Sequence, residues 1–272
     1  PPPPRPPPPP RPAPPPRAPP PPPAPPAAPR PAPRPRLEPP AGGPGPRGDS
    51  ATSLLAHTEP DYLPVFQAGG AENAELMAWT GQNSAPVAVY EDLPPACHWL
   101  DLLMLSERLA PDKPLLPEDA VLRAQVLGLS ALIAGVDGFA WNRRLQMFAP
   151  MMALEEPPEM IARMAHKYGW SDAALAAATG KLQSISGALD AQLAQAQGSD
   201  YFCGGQVSAV DFYWANFAGM IKPLPHKDNP MPDYMRATYE AADDATAACL
   251  TPRLEAHRDM MYQRHISLPL DY

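Results

Sequence analysis

Apolar positions between residues 50 and 110 form short runs mixed with helical spacing, and beyond Pro117 they follow helical spacing alone. Residues 50–57 read as the end of a helix. Residues 62–66 read as a short strand that Pro64 confines to a sheet edge. Residues 72–80 suit a short helix stopped by Gly81. Residues 87–90 form a second strand reached through Ala85-Pro86, and a strand directly behind that turn predicts a cis bond. Residues 98–109 then make a helix with Trp99, Leu102, Leu105 and Leu109 among its apolar positions, followed by a loop over 110–117. The order α–β–α–β–α in so short a span defines a small α/β unit.

The remainder predicts helices only. Glu118-Asp119 place acid at the positive end of one, and the apolar run over 121–136 predicts deep burial. Pro157-Pro158 open another at Glu159. Ser171-Asp172 start a third, whose stripe is Leu175, Leu182, Ile185, Leu189 and Leu193. The strongest start signal is Gly205-x-x-Ser208-x-x-Asp211, where Ser208 caps and Asp211 reaches back to its N–H. Val207 and Phe212 occupy the places of a hydrophobic staple. Helices resume near Asp233 and Pro252.

Composition changes the picture at the front. The first 46 residues hold 28 of the 45 prolines. Proline lacks a backbone donor and fixes φ, so this tract predicts polyproline II, either as a basic PxxP ligand or spacer marked by Arg5, Arg11 and Arg17, or as biased composition without a selected role. Its Pro, Arg, Ala and Gly codons also match a shifted reading frame through GC-rich DNA. Residues 1–50 carry +5, so the other 222 carry −13 of the net −8, a balance that disfavours nucleic acid and anionic membranes. Cys97, Cys203 and Cys249 lack metal-ligand spacing and fit reduced thiols of a cytoplasmic protein. No apolar stretch is read as a membrane span, and no signal peptide is visible. His257 and His265, eight apart, have no carboxylate or thiol at ligand spacing, so no metal is expected.

A small α/β unit with an X-Pro turn before a strand, then a helical domain carrying Gly205, Ser208, Asp211 and Phe212-Tyr213-Trp214-Ala215, resembles a cytosolic glutathione S-transferase. The tail Leu254-Glu255-Ala256-His257-Arg258-Asp259 with Arg264-His265 is similar to a bacterial branch of that family. The resemblance implies an α+β protein: a thioredoxin-like N-terminal domain, then an all-α C-terminal domain. The expected division is a disordered Pro-rich tract over 1–48, an incomplete thioredoxin-like domain over 49–112 and the helical domain over 113–272. Incompleteness is expected because the family's first strand lies between the other two, and here it must come from residues 36–41, where Pro39 and Pro40 oppose a central ladder.

The same resemblance implies glutathione as co-substrate, no resident cofactor, a small hydrophobic electrophile as second partner and a homodimer. It assigns the cysteinyl part of glutathione to Ala85 before Pro86, and the γ-glutamyl end to Cys97 and His98, which stand where the family has an acid or amide followed by Ser or Thr. Trp141, Arg143 and Arg144 are read as the electrophile pocket, or as a solvated helix face with Trp141 turned inward. The family's Ser, Cys or Tyr falls on Gly45, leaving Ser50 or Ser53 as substitutes if the helix begins differently. The expected function is conjugation of glutathione to an electrophile. The alternatives are a non-catalytic binding or assembly protein of the same fold, or a fragment or frame-shifted relative.

Overall fold

In the computed structural model the described residues are 36–38, 40–41, 45–59, 63–64, 67–68, 73–82, 85–196 and 198–270. The polyproline reading of the N-terminal tract falls outside them, as do strand residues Tyr62, Val65 and Phe66. A three-stranded sheet has the order β3-β1-β5, with β1 (Arg36–Glu38) in the centre, parallel to β3 (Leu63–Pro64) and antiparallel to β5 (Val87–Val89). This corrects the expectation of a missing first strand. The ladder uses Arg36, Leu37 and Glu38, which keep their N–H groups, and it ends before Pro39. Pro64 lies on the edge strand, as its missing donor requires. Beyond it, β2 (Pro40–Ala41) pairs in parallel with β4 (Gln67–Ala68), and Ala88 exchanges both backbone hydrogen bonds with Ala96.

The α/β part adds α1 (Pro46–Thr58), α2 (Ala74–Thr80) and α3 (Trp99–Leu109). The helices that follow are α4 (Ala120–Ala134), α5 (Phe139–Met152), α6 (Glu159–Lys167), α7 (Asp172–Gln195), α8 (Ala209–Ala218), α9 (Asp233–Glu240), α10 (Asp244–Ala247) and α11 (Pro252–Arg264). All described residues belong to one unit, Pro33–Tyr272. Local signals set the starts: Asp119 accepts from the Val121 and Leu122 N–H groups, and Ser171 accepts from Ala174 N–H. On α7 the buried stripe includes Leu182, Ile185 and Leu189. Gly204, at φ +72°, turns the chain before α8, a conformation that costs a side-chain-bearing residue more than glycine. Gly205 has an ordinary backbone and open space around its Cα.

Every residue of α8 is buried. It packs against α1, α4 and α11, and the bonds that fix it include Trp214 Nε1 donating to Leu254 O (3.0 Å), Tyr213 Oη to Trp99 O (2.8 Å), and Asn216 Nδ2 to Ser53 Oγ (3.2 Å). The last two tie α8 to α3 and α1, whose N-termini border a cavity.

α4 departs from the expectation of deep burial. Only Val126, Ser130 and Ile133 are buried, whereas Val121 is 67% exposed and Val136, just beyond the helix, 77%. Mean apolarity predicts burial only where a neighbouring layer covers all faces, and α4 has partners on one side. The segment Ala120–Met152 does pass as a membrane span by length and composition, contrary to expectation. A break at 135–138 divides it into helices of 15 and 14 residues, each shorter than the roughly 20 needed to cross. At that break a side chain on Gly138 would meet Leu132 O at 2.6 Å, so the turn closes only with glycine.

Candidate functional site

A cavity of about 420 Å³ opens between two walls. One wall comes from the start of α1 (Gly45, Pro46, Arg47), Ala85 and the start of α3 (His98, Trp99). The other comes from Trp141 and Arg144 of α5, Tyr168 after α6, and Phe217 near the end of α8. Its size suits a small-molecule site, mostly apolar with a few polar groups.

On the first wall Gly45 is the N-cap of α1, with extended backbone and no side-chain cap. The chain enters α1 through Pro46, which sits in the first turn where its missing donor is not needed. The N–H groups of that turn supply partial positive charge. No hydroxyl or thiol stands there, and an added Cβ on Gly45 would meet nothing within 4 Å. The two serine candidates lie deeper in α1, outside the cavity. Ser50 Oγ donates to Arg47 O (3.0 Å), and Ser53 is bonded to Asn216 of α8. Both are buried, and both serve the fold.

The Ala85–Pro86 peptide is cis, and Ala85 lines the cavity. His98 is the exposed N-cap of α3 and also faces it. Cys97 does not. Its Sγ donates to Pro95 O (3.4 Å), burial pushes its thiol pKa up, and its carbonyl accepts from Arg47 (3.4 Å).

The two adjacent arginines of α5 part company. Arg143 is 2% exposed and sits outside the cavity, its Nε donating to Met220 O (2.9 Å) and its Nη2 to Tyr239 O (3.3 Å) and Ala241 O (3.1 Å). It is a structural anchor, which corrects its assignment to the substrate pocket. Arg144, about 100° further round the helix, reaches the cavity. Its Nη2 donates to Tyr239 Oη (3.1 Å), and its guanidinium lies 5.7 Å from the Tyr239 ring centroid. The solvated-face reading of this segment fails as well, because Asn142 and Arg143 are buried.

Three further residues carry no distinguishing signal in the sequence. Arg47 carried only the general signal of a cation near a helix start. Tyr168 closes α6 and presents the one hydroxyl among the described residues lining the cavity, its ring 4.8 Å from that of Trp141. Asp49 is an acid in the first turn of α1, ordinarily a sign of a charged group favoured by the helix dipole. Here desolvation dominates: burial raises its pKa to about 8, against the Gly45 N–H and the Arg144 charge.

That raised value sets a pH dependence. Between pH 4 and 8 the folded chain holds a proton that the unfolded chain releases, so this group's contribution to stability falls as pH rises through that window and is flat above it. Asp49→Asn removes the penalty. Because the Asp49 side chain keeps some solvent contact, the expected gain is ~1–3 kcal/mol at pH 9 and near zero at pH 4. Urea unfolding of both proteins at the two pH values measures it, and an equal difference at both would refute the assignment.

Among the described residues no cluster of His, Cys, Asp and Glu could hold a metal. His257 Nε2 is bonded to Asp211 (2.9 Å) and His265 Nε2 to Tyr201 Oη (2.9 Å).

No protein-family profile matches the chain, and no curated protein sequence does. Solved structures do. A glutathione S-transferase from Methylobacterium radiotolerans, in complex with glutathione sulfonate, superposes with TM-score 0.58 at 17% identity, over 85% of this chain and 91% of that one. One from Methylobacillus flagellatus with glutathione bound gives 0.59 at 14%, over 85% and 95%. A rice glutathione S-transferase in complex with glutathione gives 0.54 at 17%, over 87% and 93%. The chain has the glutathione S-transferase fold.

Proposed function

We propose that this chain binds glutathione and conjugates it to a small electrophile. The observation that carries the reading is the cavity itself: its α/β wall brings together Ala85 and His98, two of the positions to which the resemblance assigns glutathione, with Gly45, which falls on the family's Ser, Cys or Tyr, and its helical wall is aromatic. Glutathione is the co-substrate and no resident cofactor is invoked. The thiol would lie against the first turn of α1, where free N–H groups and the dipole favour a thiolate. With Gly45 in place of a hydroxyl or thiol, those N–H groups and the nearby Arg47 cation would carry the stabilisation. The reading includes a division near residue 112 into α/β and helical domains, a homodimer and a cytoplasmic setting.

One observation favours a second reading, a glutathione-binding protein without turnover. The position at the start of α1 has no side chain, and Ser50 and Ser53 are committed to internal hydrogen bonds. Calorimetric titration with glutathione and a 1-chloro-2,4-dinitrobenzene assay separate the two. Saturable binding with turnover above the uncatalysed rate is expected. Binding without turnover selects the second reading, and no binding up to 10 mM glutathione, roughly the weakest affinity such an assay resolves, sinks both.

A further inference from the structure

The helical wall of the cavity carries a cation that the fold does not use up. Arg144 gives one Nη2–H to Tyr239 Oη and rests against the Tyr239 ring, and among the described residues no carboxylate lies within ion-pair distance of it. A guanidinium has five donors, so most remain for a ligand. Among the described residues, those lining the cavity include Arg144 and Arg47 but no Asp or Glu. Lys167, next to Tyr168, is close enough to Arg47 for the two charges to repel. This concentration of positive charge stands in a chain with 29 acidic residues against 21 Lys and Arg. Beside Arg144 the wall is flat and apolar, made by Trp141 and Tyr168 with their rings 4.8 Å apart and by Phe217.

We infer that the second substrate is an acid: an aromatic or similarly flat apolar body against Trp141, Tyr168 and Phe217, with its carboxylate paired to Arg144. A planar guanidinium matches a carboxylate through two parallel N–H···O bonds, and a site shielded from water strengthens them. Burial works against the Arg144 cation and its hydrogen bond to Tyr239 Oη favours it, and a guanidinium keeps its charge at any ordinary pH. The Tyr239 bond also restricts the side chain, which lowers the entropy lost when a ligand arrives. The assignment goes to Arg144 rather than Arg47 because Arg47 belongs to the wall given to glutathione. The inference deepens the conjugation reading and rests on it for the identity of the site.

Trp99 and Trp141 line the cavity, so ligand binding can be read by tryptophan fluorescence. The probes are cinnamate and its neutral amide, cinnamamide, titrated with and without saturating glutathione. Cinnamate is expected to bind roughly tenfold to a hundredfold more tightly than the amide, the scale of a charge-assisted pair. In Arg144→Gln that ratio falls to near one while cinnamamide affinity stays within about twofold, which shows that the cavity persists. Arg144→Lys, keeping charge but not the fork, retains part of the preference. Equal affinities in the parent chain overturn the inference, as does an undiminished preference in Arg144→Gln or the absence of saturable binding by either probe. Calorimetry with glutathione alone is independent: acid preference without glutathione binding supports the acid site and removes the conjugation reading, whereas glutathione binding without acid preference does the reverse.

Discussion

Asp211→Ala is expected to destabilise the chain by about 3–5 kcal/mol, enough to unfold many domains of ordinary stability. Asp211 is wholly buried, and its carboxylate accepts from Phe202 N–H (2.9 Å), Ser208 N–H (2.8 Å) and Ser208 Oγ (2.8 Å), with His257 Nε2 at 2.9 Å. It therefore completes the capping box at the start of α8 and also joins α8 to the preceding turn and to α11. Alanine leaves two N–H groups and a histidine without their acceptor in the interior, where water does not replace it. Asp211→Asn keeps one oxygen and should lose less. Urea denaturation of the three proteins gives the order. A loss below 1 kcal/mol for the alanine variant would contradict this account of how α8 is held.

Arg143→Met should cost a similar ~3–5 kcal/mol. The methionine fills much of the space but strands the carbonyls of Met220, Tyr239 and Ala241, which close the ends of α8 and α9. Burial lowers the Arg143 pKa, with Asp243 opposing, so the cation is retained against a real desolvation penalty. Arg144→Gln in the same denaturation series provides the contrast: it loses one hydrogen bond at a half-buried site and is expected to change stability by no more than about 1 kcal/mol. If the two variants unfold at the same urea concentration, the division of labour between these neighbours is wrong.

What was legible in the sequence is what local chemistry decides. Ser171 and Ser208 each start a helix through atoms within three residues, so the starts of α7 and α8 could be read directly. The Ala85–Pro86 turn was legible for the same reason. Misreadings arose where the answer depends on a distant neighbour. Pro39 and Pro40 read as part of one central strand, yet that ladder stops at Glu38, and Pro40 pairs only in the separate two-stranded ladder with Gln67. The apolarity of α4 described its composition but not which faces other helices cover. Arg143 and Arg144 are indistinguishable in a string, and only the rotation of α5 separates an anchor from a cavity group. Asp49 looked like an ordinary acid in a first turn until burial reversed which form is favoured.

Tyr239 of α9 serves both arginines, accepting Arg143 at its backbone carbonyl and Arg144 at its side-chain hydroxyl. One position thus ties the chain's stability to the acid preference proposed for the cavity. A lineage of such chains drifting towards new ligands could replace the hydroxyl freely, since the carbonyl comes with any amino acid, but could not shift the last turn of α9 without endangering the fold. Diversification at this cavity should accordingly proceed by exchange of side chains on an unmoved α9, and insertions there should be selected against.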